Sequence, residues 1–167
     1  MTDFDEFLRK RNEELAAGAR DTALPASDQV KAWQRLKDEL RRITQGKRLG
    51  TEPFEWSPYP APYPDFLKLG DVAAVFVIPV ALAPVPPDFR IVFGRRPTRA
   101  DEMLAPSSSS AAIPWLRWFP TVDFAGGVLH WNAKEEGLRL PTPQFAAKVA
   151  ERLVEYFEEY NAALKTK

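Results

Sequence analysis

The chain has 167 residues, 45% hydrophobic and 28% charged, which fits a single globular domain with a sizeable core and excludes wholesale disorder. Acids and bases balance at 23 each, so no global field draws nucleic acid or an anionic membrane. With no cysteine and one histidine, thiol catalysis, disulfides, iron–sulfur ligation and cysteine-based zinc sites are excluded, and a zinc centre with several histidines cannot be built within one chain. What remains is carboxylate chemistry, arginine-mediated anion binding, or no chemistry, and neither metal nor cofactor is expected.

The opening string, MTDFDEFLRKRNEEL, is charged throughout and lacks the apolar stretch of a secretory signal. Phe4, Phe7, Leu8, Arg11 and Leu15 recur at helical spacing, with Thr2 as N-cap and Asp5 completing a weak capping box. A second stripe, Val30, Trp33, Leu36, Leu40 and Ile43, stands behind a Ser27 N-cap and ends near Gly46. Leu24-Pro25 interrupts the two, so residues 1–48 are expected to form a helical hairpin. From Pro53 to Phe66 prolines alternate with aromatic residues, predicting an extended connector over 49–66 whose Phe54, Trp56, Tyr59 and Tyr63 pack on the core.

Residues 67–167 read as a sheet followed by a helix. Val72 to Val80 is continuously apolar, as in an interior strand covered on both faces, although Pro79 marks an end or a bulge. The longer run VAAVFVIPVALAPVP is too short to span a bilayer and is broken by Pro79, Pro84 and Pro86. In Asp88 to Phe93, Phe89, Ile91 and Phe93 fall on one side and Arg90 and Val92 on the other. PSSSS, from Pro106 to Ser110, reads as a loop tip. Trp115 to Phe119, Val128 to Trp131 and Leu138 to Leu140 are further strands, and Gly126-Gly127 is a tight turn. Thr142, Pro143 and the stripe Ala146, Val149, Leu153, Tyr156, Tyr160 predict a long last helix, widened by Phe145, Phe157 and Leu164. The expected fold is α+β: one domain with a helical hairpin, an antiparallel sheet of four to five strands, and a C-terminal helix packed on the sheet.

Two constellations carry candidate chemistry. Asp123 and His130 flank the glycine pair, and a carboxylate can orient an imidazole as general base, with Ser107 to Ser110 the nearest nucleophiles in sequence. Arg95, Arg96 and Arg99 follow a strand end and Trp115, Arg117 and Trp118 lie on the next strand, a composition that can hold a small anionic ligand on one rim. Five bases against three acids between Asp88 and Pro120 are too few to favour nucleic acid. The pairs Glu13-Glu14, Glu135-Glu136 and Glu158-Glu159 make no acid/base dyad, and no phosphate-loop, dinucleotide, EF-hand or metalloprotease pattern occurs. Residues 28–48 carry net positive charge, while Glu151, Glu155, Glu158 and Glu159 make the last helix acidic.

The first reading is therefore a small cytoplasmic, non-enzymatic protein-interaction module. A homodimer is one form of it, with Tyr156, Phe157 and Tyr160 at a two-fold interface. Burial of that face under Trp33 and Leu36 would instead leave a monomer. The alternatives are a small-anion-binding domain using the arginine–tryptophan rim, and a hydrolase or isomerase centred on Asp123 and His130.

Overall fold

The computed structural model describes residues 3–22, 26–57, 65–77, 89–97 and 113–165, the side chains of 14–22 and 26–27 excepted. The helices are α1 (Asp3–Thr22), α2 (Ala26–Thr44) and α3 (Thr142–Lys165). The strands are β1 (Arg48–Leu49), β2 (Glu52–Ser57), β3 (Phe66–Leu69), β4 (Val72–Val77), β5 (Arg90–Arg95), β6 (Leu116–Trp118), β7 (Thr121–Ala125), β8 (Val128–Ala133) and β9 (Leu138–Pro141). Strands β1 to β6 form one antiparallel meander in chain order, and β7 to β9 form a second, three-stranded one. The α+β architecture, with a long last helix on the sheet, is the one expected. Thr2, Leu24-Pro25, Tyr59, Tyr63, residues 78–80, Arg99 and Ser107 to Ser110 lie outside the described residues, as do the side chains of Leu15 and Ser27.

Of the strands expected in one sheet, β4, β5 and β6 lie in the main sheet, whereas Val128 to Trp131 and Leu138 to Leu140 belong to the second sheet, in β8 and β9 beside β7. The main sheet reaches six strands because Arg48, part of the expected connector and Phe66–Leu69 supply β1, β2 and β3. Phe54 and Trp56 nonetheless pack on the core, as the connector reading required. Side chains alternate strictly between the faces. Leu67, Leu69, Val72, Ala74, Phe76, Ile91, Phe93 and Trp118 enter the main core, and Phe66, Ala73, Val75, Val77 and Val92 a smaller one. All six residues of β4 are buried, which is why its sequence is continuously apolar.

The main core lies between this sheet, α2, α3 and the inner face of the small sheet. Phe145, Ala146, Val149, Leu153, Tyr156 and Tyr160 of α3 are all buried in it. Aromatic contacts tie the layers together: Trp33 of α2 stacks on Phe89 at 4.6 Å and tilts against Trp131 of β8 at 5.8 Å. Phe145 of α3 continues the chain to Trp118 of β6 and Phe93 of β5. Such pairs add about 0.5–1.5 kcal/mol each beyond their buried area.

The two first helices have different partners. α2 rests on α3, with Trp33, Leu36 and Leu40 fully buried, whereas α1 lies against β7. The aromatic side of α3 is thus covered from within the molecule, where the helix meets α2 and both sheets, Tyr156 being 1% and Tyr160 7% exposed. The excess apolar surface sits elsewhere, on α1, where Phe4 is 65%, Phe7 52% and Leu8 41% exposed.

Candidate functional site

The glycine pair sets the geometry of the first candidate. Gly126 and Gly127 both have positive φ, 60° and 77°, the pattern of a two-residue type I′ turn. That turn fixes the β7–β8 register and places Asp123 directly opposite His130. Residues opposite one another share a face, so the two side chains are neighbours, yet each is engaged elsewhere. Arg139 Nη1, from β9, donates to both carboxylate oxygens of Asp123 at 3.0 and 3.1 Å. Asn132 Nδ2 donates to the same carboxylate at 3.0 Å. The carbonyl of Val128 accepts from His130 Nδ1 at 3.1 Å, which assigns the ring proton to that nitrogen. Asp123 therefore orients Arg139 and Asn132 and not the imidazole. These residues tie the three strands together on the outward face of the small sheet, and no carboxylate-oriented base is formed.

The arginine–tryptophan residues are divided by the pleat. Trp115 and Trp118 are three residues apart and so face opposite ways. Trp118 is in the main core, its Nε1 donating to Glu136 Oε1 at 3.3 Å, while Trp115 packs over the smaller cluster. There its ring lies flat on β5, where a Cβ at Gly94 would fall 2.9 Å from the indole. Arg117 is exposed two residues on, opposite Val92. Arg95 is exposed at the end of β5, paired with Val72, and its parity puts it on the core side. Arg96 lines an open depression of about 260 Å³ at the sheet end, with Glu52, Glu55, Lys68, Asp71, Phe157 and Asn161. Lys68, 2.8 Å from Glu55, holds that carboxyl below its ordinary range, and Arg96 adds to the effect. With three acids against two bases, this depression is no anion trap. Among the described residues of the expected rim, Trp115 and Arg117 alone remain together, Arg99 lying outside them.

Sequence reasoning passed over Glu135-Glu136 and Arg152. Glu135 accepts from the Phe119 amide at 3.0 Å, and Glu136 joins the Trp118 indole to Arg152, whose Nε is 3.5 Å away. Arg152 also reaches Glu155 and Glu159 on its own helix. The partners lie in different elements, so no local spacing announced the network, which is structural. The basic α2 and acidic α3 pack together without any ion pair between them among the described residues. Among the described residues there is also no metal-holding cluster of His, Asp or Glu, and no helix long and apolar enough to cross a membrane.

The remaining candidate is α1. Over residues 3–13 every side chain is exposed, including the apolar stripe Phe4, Phe7 and Leu8. Arg11 lies over the Phe7 ring at 5.3 Å and Arg9 pairs with Glu13 at 2.9 Å, both contacts within the helix. Fully burying a Phe or Leu side chain contributes about 1.5–3 kcal/mol, and here much of that stays available to an intermolecular contact. No protein-family model matches the chain, and comparison with curated proteins and with solved structures finds no similar protein.

Proposed function

We propose that the protein is a non-enzymatic interaction module whose binding surface is the apolar face of α1. The observation that carries this reading is the exposure of Phe4, Phe7 and Leu8 on consecutive turns of one helix, while the stripes of α2 and α3 are largely buried. An amphipathic helix presenting such anchors is suited to a groove or to another helix. The same proposal keeps the cytoplasmic setting expected from the sequence. The test is affinity capture from the native cell with the whole chain and with Phe4→Glu/Phe7→Glu. A partner retained by the native chain and lost by the variant supports the reading. Identical captured sets overturn it.

A second reading, small-anion binding, rests on the exposed Arg117 standing on the same face as Trp115, whose buried Nε1 has no hydrogen-bond partner. An anion held by Arg117 beside the Trp115 indole would quench or shift tryptophan emission in an inorganic phosphate titration. Arg117→Met should abolish that response, and a flat titration of the native chain would remove this reading.

A further inference from the structure

We infer that the occupant of the α1 face is a second copy of this chain, its α1 running antiparallel to the first; the inference rests on the interaction reading above and names its partner. The argument is the placement of charge beside the apolar stripe. On a helix, residues seven apart stand on the same side two turns apart. Asp3 and Lys10 are such a pair, of opposite sign, on one flank of Phe4 and Phe7. In an antiparallel pair, Phe4 of one copy meets Phe7 of the other, and Asp3 meets Lys10, each contact occurring twice about the two-fold axis. A parallel pair would instead set the acidic first turn, Asp3, Asp5 and Glu6, beside itself. The pattern is therefore self-complementary in one orientation only.

The same charges weigh against other occupants. Residues 3–13 carry four acids (Asp3, Asp5, Glu6, Glu13) and three bases (Arg9, Lys10, Arg11), so the surface has no attraction for anionic lipid or nucleic acid. The overlap is about ten residues, or about 15 Å of each helix, and such a small contact gives a reversible, concentration-dependent dimer.

Sedimentation equilibrium of the whole chain over a hundredfold concentration range tests this, with four further samples beside it: the three variants Phe7→Glu, Asp3→Lys and Lys10→Glu, and an equimolar mixture of the last two. The native mass should rise toward twice the monomer's, and Phe7→Glu should remain monomeric. Each single charge reversal puts like charges together twice and should weaken association by about tenfold, while the mixture, which restores both pairs, should recover it. A native chain that is monomeric throughout overturns the inference, as does a dimer indifferent to Phe7→Glu or a mixture no tighter than its components. A monomer that still captures a different protein or a lipid vesicle through Phe7 overturns the second-copy inference and leaves the interaction surface standing.

Discussion

Leu153 is fully buried in the middle of the α3 stripe, with Val149 and Tyr156 one turn away on either side. Leu153→Ala should cost about 2–5 kcal/mol, from lost transfer energy and the cavity left behind, read as a lowered denaturation midpoint. Gly94→Ala should also destabilise, because the new methyl would lie 2.9 Å from the Trp115 ring, which rests on backbone and has to be displaced. A blue- or red-shifted tryptophan emission in that variant would accompany the loss. Tyr156 gives a pH dependence. Burial pushes its phenol up to about 12 from 10.0, and its hydroxyl donates to the Pro114 carbonyl at 3.2 Å. An acid whose folded pKa is raised contributes stability that is fully present below its unfolded pKa. Stability should therefore hold up to about pH 10 and fall between there and about pH 12. Tyr156→Phe should remove that part of the alkaline loss, and tyrosinate absorbance in the native chain should lag behind that of free tyrosine.

Among the elements, those with long periodic patterns were legible and those whose burial depends on distant partners were not. The α2 and α3 stripes and the six-residue apolar β4 state their environment in their own residues. Val75→Asp, placing an unpaired charge in the smaller cluster where Val75 is 5% exposed, should abolish soluble expression. The sheet extends further than its pattern suggested because β2 carries Pro53 and the four-residue β3 follows a proline-rich stretch; neither looks like a strand until the β3–β4 hairpin supplies its neighbour. The Asp123–His130 juxtaposition was legible from the glycine turn. Its outcome was not, because the guanidinium that occupies Asp123 arrives from β9, sixteen residues along the chain. Likewise the pleat, which sends Trp115 and Trp118 to opposite faces, could be read from their spacing, but which face was core could not. For α1 the periodicity identified an amphipathic helix without saying what its apolar side would meet.

At the scale of the molecule, the aromatic surplus that suggested a dimer through the last helix is spent inside, where α2 rests on α3 and ring contacts through Trp33, Phe89, Trp131, Phe145 and Trp118 join both to the sheets. The intermolecular surface we propose is that of α1, whose Phe4 and Phe7 contribute little to the fold because they are more than half exposed. This separation of core from recognition face is the central claim, and it is tested by chemical denaturation of Phe4→Glu/Phe7→Glu against the native chain, at dilutions where sedimentation shows monomer for both. Substitutions of exposed residues change stability by no more than about 0.5 kcal/mol each, so the two midpoints should nearly coincide while association is lost. A loss of about 3 kcal/mol or more, the magnitude expected for removing a buried phenylalanine from a core, would show that α1 belongs to the core and would contradict the account.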